Sequence, residues 1–343
     1  MRASFAIPGD LSSPTGGYGY ARRLLREASS LDLHLQPVAL PGGFPTPTAA
    51  QLGQTEEILA ALPPGEPVLI DGLAYGAFPK GLIAAIPGPV VALCHHPLAL
   101  ETGIEPALAA HLMRSERRAL SMAAHVLTTS HATAAIVAKD YGVPGEQITV
   151  APPGTDPAPR ATGSQDKTCR LLSVGSITAR KGHVRLIAAL AQMPPGEWTL
   201  RIAGPMPDPV ERAALQAAIA EAEFGDRVEL TGPLSLPRLT AAYQASDLFV
   251  LASEYEGFGM AFVEAMSHGL PTVGLTSPAV EEATAGAACL VGTQDLSETL
   301  RLLISDRGTR QALADRCWTA AQTFMRWPQT SRIVADVIRK VAA

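Results

Sequence analysis

A chain of 343 residues exceeds the roughly 250–300 at which a single hydrophobic core stops growing, so two domains are expected. Hydrophobic residues make up 47% and charged residues 17%, which excludes wholesale disorder, and a net charge of -5 without a long Lys/Arg stripe argues against a nucleic-acid partner. Cys94, Cys169, Cys289 and Cys317 form no CxxC pair, so reduced, mostly buried thiols are expected rather than a zinc knuckle or a dithiol motif.

The N-terminal stretch "MRASFAIPGDLSSPTGG" has too short an apolar run for a signal peptide. No window approaches the roughly 18 apolar residues of a membrane span. A cytoplasmic location is expected, with peripheral contact on the inner face of a membrane left open.

"ASFAIP" (3–8) reads as a buried strand, followed by a helix in "YARRLLREASSL". "PVLIDG" (67–72), "PVVALC" (89–94), a helix from Glu105 to Ala124, "AHVLTTS" (124–130) and "ITVAPPG" (148–154) continue the series. The Pro/Gly-rich "APPGTDPAPRATGSQDK" (151–167) then reads as an interdomain connection. Alternation restarts with strands at 169–175, 198–204, 227–232, 247–253 and 271–275, and with helices near 182–192, 208–223, 236–245 and 259–268. Nearly continuous apolar strands alternating with helices imply parallel sheets covered on both faces. The expected domains are 1–155, a linker at 156–167, 168–317, and a C-terminal helical segment, 318–343, packing back toward the first domain. The fold class is α/β, two Rossmann-like doubly wound domains facing each other across a cleft, with ligands outside the carboxyl ends of the strands.

Four stretches at strand ends carry chemistry. "EYEGFGMAFVEAMSHGLP" (254–271) leaves a strand, turns on Gly257 and Gly259, and enters a helix at about Met260. A helix N-terminus binds anions, so Glu256 and Glu264 beside it are better suited to neutral hydroxyls, as on a sugar or ribose, than to phosphate. A plain glycine turn with two solvated acids fits the spacing equally. "SVGSITARKGH" (173–183) offers Arg180 and Lys181 beside Gly182, cations for a diphosphate or an ordinary solvated pair. "SSPTGGYGY" (12–20) opens a helix with Gly16, Gly17 and Gly19 but lacks the GxGxxG spacing. "LCHHPLALE" (93–101) places His95 and His96 at a strand end, for catalytic or sugar contact or as a structural pair. GxxxxGK[ST], HExxH, GxSxG and a D-x-D triplet are all missing, which weakens the NTPase, zincin, hydrolase and metal-bridged diphosphate readings.

Together these stretches resemble the retaining glycosyltransferases of family 4, which have the GT-B architecture and an E-x7-E signature, here "EGFGMAFVEAMSHGLPTV". "PTGGYGYARRLL", "HHPLALETG", "TTSHATAAIV", "VAPPGTD", "SVGSITARKGH", "LRIAGP", "VELTGPLSLPRLTAAYQASDLFVLAS" and "AVEEATAGAACLV" follow in the family's order. The resemblance implies that Glu256 holds hydroxyls of the donor sugar and Glu264 the ribose. Gly257, Phe258, Gly259 and Met260 would offer backbone amides to the diphosphate and Lys181 its charge. Gly16 and Gly17 would lie near the phosphates, Gly204 of "LRIAGP" would join the donor site, and Gly232 to Leu234 would edge the nucleobase. His95 would sit near the anomeric carbon, with His96 as a second occupant of that role. Many relatives carry a second diphosphate-binding arginine where this chain has Ser176, and Arg180 stands as its replacement.

The implied activity is transfer of a hexose-type sugar from a UDP- or GDP-sugar to a lipid or glycan acceptor, with retention at the anomeric carbon. The leaving diphosphate helps deprotonate the acceptor, and no metal or cofactor is required. Arg114, Arg117 and Arg118, on a helix with Leu112, Met113 and Leu120, suit an anionic membrane beside a lipid acceptor, or form an ordinary surface helix paired through Glu116. A sugar-nucleotide epimerase on the same fold and a catalytically silent donor-binding protein are the alternatives.

Overall fold

The computed structural model describes residues 1–164, 166–193 and 196–343 and divides them into two units. Unit 1 comprises Met1–Gly154 and Met325–Ala343, and unit 2 comprises Thr155–Phe324.

Unit 1 is built on six parallel strands: β1 (Arg2–Pro8), β2 (His34–Leu40), β3 (Val68–Asp71), β4 (Val90–Cys94), β5 (His125–Thr128) and β6 (Ile148–Val150). Their order is β2-β1-β3-β4-β5-β6. Every residue of β3, β4 and β5 is buried, as expected of a sheet covered on both faces: β4 is wholly apolar, and β3 and β5 carry polar residues only at their ends. Strand β2 has no counterpart among the strands expected from sequence. Its Pro37 pairs with Phe5 of β1, and a proline is tolerated there because β2 is an edge strand with no outer neighbour to receive an N–H.

The chain leaves unit 1 at Gly154 and returns at Met325. A side chain on Gly154 would collide with the backbone of Arg326 and Trp327, so only glycine lets the two crossings lie together. The returning helix Trp327–Ala342 has its proline in the first turn and buries Trp327, whose ring meets Tyr20 edge-on at 5.6 Å. Thr330 Oγ1 donates to the Pro152 carbonyl at 2.7 Å.

Unit 2 holds β7 (Cys169–Val174), β8 (Trp198–Ala203), β9 (Val228–Gly232), β10 (Leu248–Leu251), β11 (Thr272–Leu275) and β12 (Cys289–Val291), parallel and ordered β12-β11-β10-β7-β8-β9. The three-residue edge strand β12 was likewise not among the expected strands. The segment read as a linker packs into this unit instead. Ala161 N–H donates to the His268 carbonyl at 2.7 Å, Gly163 N–H to the Gln244 carbonyl at 3.1 Å, and Ser164 N–H to Asp247 Oδ1 at 2.9 Å. Gln165 of that stretch lies outside the described residues. Proline and glycine there mark irregular backbone, and neighbouring carbonyls and one carboxylate satisfy its amides. Residues 318–324 also belong to unit 2: the helix Arg307–Ala321 carries Trp318, whose ring lies 5.7 Å beneath the Arg160 guanidinium.

In each sheet the chain order reverses once, between β1 and β3 in unit 1 and between β7 and β10 in unit 2. The carboxyl ends of these strands are where such sheets open a crevice.

Candidate active site

At the switch point of unit 2, the segments after β7 and β10 are joined by backbone and side-chain hydrogen bonds. Glu254 N–H donates to the Arg180 carbonyl at 2.9 Å, and Arg185 Nη1 donates to the Ala252 carbonyl at 2.8 Å. Gly182 has φ +67° and faces the Ala252 carbonyl oxygen so closely that any Cβ would strike it. This contact sets Lys181, 75 residues away in sequence, against Glu256.

Glu256 is buried, at 6% exposure. Its Oε1 accepts from Lys181 Nζ at 2.6 Å and from Ser253 Oγ at 2.7 Å. Arg180 Nη1 lies 3.7 Å from its Oε2 and donates to the Tyr255 carbonyl at 2.8 Å. Burial alone would raise the carboxyl pKa. The charges of Lys181 and Arg180, with the hydrogen bonds from Lys181 and Ser253, outweigh burial and hold it below the ordinary value, so Glu256 is a fixed carboxylate. Ser253 was not among the residues singled out from sequence. A carboxylate offers about four lone-pair directions, so sites remain for an incoming hydroxyl.

The helix Met260–Ser267 starts beside this pair. Its N-cap, Gly259, has φ +102° and no side chain to occupy the first-turn amides, which favours an anion there. Gly257, Phe258 and Met260 are half-buried around the turn. Ser176 is half-buried beyond the end of β7. Gly204 N–H donates to the Gly232 carbonyl at 3.0 Å, and a side chain on Gly204 would run into the Gly175 carbonyl oxygen. The ends of β7, β8 and β9 are thus stripped to glycine backbone. Leu234 packs against the small core around Tyr243, Phe249 and Phe262. One turn into the helix, half-buried Glu264 accepts from the Tyr243 hydroxyl at 3.2 Å, and burial pushes its pKa up to about 7 against the lowering effect of that bond.

In unit 1, the helix Gly16–Ala28 begins just after β1. A Cβ on Gly17 would lie 3.7 Å from His95 Cδ2, so Gly17 leaves the imidazole edge uncovered. His95 meets the Tyr20 ring edge-on at 5.1 Å, and its Nε2 lies 3.5 Å from Asp71 Oδ2. Asp71 was not singled out from sequence; a carboxylate as the last residue of a buried strand, "VLID", is the signal that marks it. His96 Nε2 lies 3.6 Å from Glu101 Oε2.

Glu116 does not pair with its neighbouring arginines, contrary to the surface-helix reading. It is 1% exposed and turns inward, where Oε2 accepts from Leu98 N–H at 2.9 Å and burial pushes its pKa up to about 7. Arg114, Arg117 and Arg118 are exposed on the helix Pro106–Met122, and Arg118 donates to Ser115 Oγ at 3.2 Å. Among the described residues no helix is long and apolar enough to cross a membrane.

The family model described as Glycosyl transferases group 1 matches residues 155–317, and that described as Glycosyltransferase Family 4 matches residues 19–159. A D-inositol 3-phosphate glycosyltransferase of Pseudarthrobacter chlorophenolicus is 32% identical over 190 residues, 51% of this chain and 45% of the relative. The matches to the first relatives take in 45% and 58% of their lengths, about half. Among solved structures, sucrose-phosphate synthase of Thermosynechococcus elongatus is similar with TM-score 0.80 and 19% identity, over 99% of each chain. Anabaena HepE in complex with UDP-glucose is similar with TM-score 0.78 and 16% identity, over 99% of this chain and 100% of that one. At such identities the likeness is one of fold, the GT-B architecture of two doubly wound domains.

Proposed function

Because this chain belongs to the family 4 glycosyltransferases, we propose that it moves a hexose-type sugar from a nucleoside diphosphate sugar to a lipid or glycan acceptor, with retention at the anomeric carbon. The observation that supports this most is the buried Lys181–Glu256 pair at the switch point of unit 2, flanked by Arg180, Ser253 and an uncapped helix N-terminus. A protein of the same fold bound to UDP-glucose adds support for the donor class.

In this reading the diphosphate lies against Lys181, Arg180 and the amides that follow Gly259. Glu256, held ionised, accepts from hydroxyls of the transferred sugar, and Glu264 from the ribose. The bond between the anomeric carbon and the β-phosphate oxygen breaks. The acceptor oxygen bonds to that carbon on the same face, and its proton passes to the departing phosphate. Negative charge develops on the leaving diphosphate, and the two cations and the helix end are already oriented to stabilise it, so little reorganisation is needed as the bond breaks. No metal is assigned to this task. On unit 1, His95, aligned by Asp71 and Tyr20, is the group assigned to the transferred sugar, with His96 beside it in sequence.

The acceptor is assigned to unit 1. A lipid acceptor suits the exposed Arg114, Arg117 and Arg118, which would rest on an anionic surface. Sedimentation with anionic liposomes is the test; protein that stays in the supernatant removes the lipid version and leaves a soluble glycan. For the reaction, incubation with UDP- and GDP-sugars separates the classes. Release of nucleoside diphosphate supports transfer, an altered sugar without release supports an epimerase, and unchanged donor supports a silent binding protein.

A further inference from the structure

The hydroxyl of Tyr243 has no role in filling the core. The residue is 2% exposed, and its ring lies stacked 4.8 Å from His268 and 6.4 Å from Phe249, contacts that phenylalanine would make as well. A buried phenol without a partner carries an uncompensated desolvation penalty, so the oxygen needs a bonding reason to be there. Its hydrogen-bond partner is Glu264 Oε2, at 3.2 Å, reached from the helix Leu236–Gln244 to the helix Met260–Ser267. Its stacked neighbour His268 is itself held in place, its backbone carbonyl accepting from Ala161 N–H at 2.7 Å.

We propose that Tyr243 is a positioning residue for the donor ribose: its O–H binds one oxygen of Glu264 and leaves the other to accept from the ribose hydroxyls. A glutamate side chain has three rotatable bonds, and fixing one carboxylate oxygen removes most of that freedom before the nucleotide arrives. The phenol touches no reacting atom, and its effect reaches the ligand only through Glu264. The proposal rests on the reading of Glu264 as the ribose contact.

The test is a binding cycle by isothermal titration calorimetry. Wild type, Tyr243→Phe and Glu264→Gln are titrated with UDP, GDP and ADP, and then with the 2′,3′-dideoxy counterpart of whichever binds most tightly. Tyr243→Phe is expected to weaken the ribonucleotide by about 3- to 10-fold and the dideoxy nucleotide not at all, the loss of one hydrogen bond acting through hydroxyls that the second ligand lacks. An equal loss for both ligands overturns the proposal, because a role in packing alone does not depend on the ribose hydroxyls. If Glu264→Gln also loses equally for both, or if no nucleoside diphosphate binds wild type, the ribose reading itself fails and takes the proposal with it. The wild-type ratio of ribo to dideoxy affinity reports on the site even where a variant is poorly folded.

Discussion

Replacing Lys181 with methionine keeps the aliphatic stem and removes the charge, which isolates the electrostatic role of the ion pair. Glu256 would then be a buried carboxylate that has lost a bond of 2.6 Å, with Arg180 at 3.7 Å and the Ser253 hydroxyl at 2.7 Å remaining. Removing one partner of a buried pair costs about 3–5 kcal/mol, and the two surviving partners place this case at about 3. For a unit of this size that corresponds to a fall of about 6–12 °C in Tm. The effect on chemistry is separate: loss of one preorganised donor to a developing negative charge lowers kcat by about 10²–10³-fold. Urea unfolding measures the first and single-turnover transfer from the nucleoside diphosphate sugar measures the second, below the melting range of the variant. A folded Lys181→Met protein that transfers sugar at the wild-type rate would refute the reasoning.

Glu116 and Glu256 respond to pH in opposite senses. The Glu116 carboxyl is raised from 4.5 to about 7, so its stabilising effect is full below pH 4.5 and is lost as pH rises through about 7. The shift corresponds to about 3 kcal/mol, and Glu116→Gln, which can still accept from Leu98 N–H, is expected to flatten that dependence in denaturation at pH 5 and pH 8; an unchanged slope contradicts it. The Glu256 carboxyl is lowered below 4.5, so the stability it contributes is present above pH 4.5 and disappears as pH falls below it; Glu256→Gln should remove that acid limb of the unfolding curve. Dialysis against EDTA is expected to leave the transfer rate unchanged, since Lys181 and Arg180 carry the leaving-group charge; a loss restored by Mg²⁺ would contradict this.

The parallel sheets were legible because β4 and β10 are unbroken apolar runs and β3 and β5 break theirs only at the ends, a pattern that suits a strand buried on both faces. The edge strands β2 and β12 were not. One carries a proline and the other is three residues long, and edge position, which permits both, is a tertiary fact. The candidate site was legible as stretches, through glycines and charges at strand ends. Its pairings were hidden by distance along the chain: 75 residues separate Lys181 from Glu256, and 21 separate Tyr243 from Glu264. Glu116 was misread because its arginine neighbours suggest a solvated face, whereas Ser115, Glu116 and Ala119 form part of the buried stripe of that helix. The linker reading failed for a related reason. Composition reported the lack of regular structure between 155 and 164 but not the carbonyls of Gln244 and His268 that hold it down.

The most direct measurement is release of nucleoside diphosphate from UDP- and GDP-sugars by wild type and by a folded Glu256→Ala variant. Wild type is predicted to release it from one donor class, slowly without acceptor and faster with one, and the variant is predicted to lose that release. Release by Glu256→Ala at the wild-type rate, or none from either donor with wild type across glycan and lipid acceptors, would contradict the assignment of the Lys181–Glu256 pair to a sugar-transfer site.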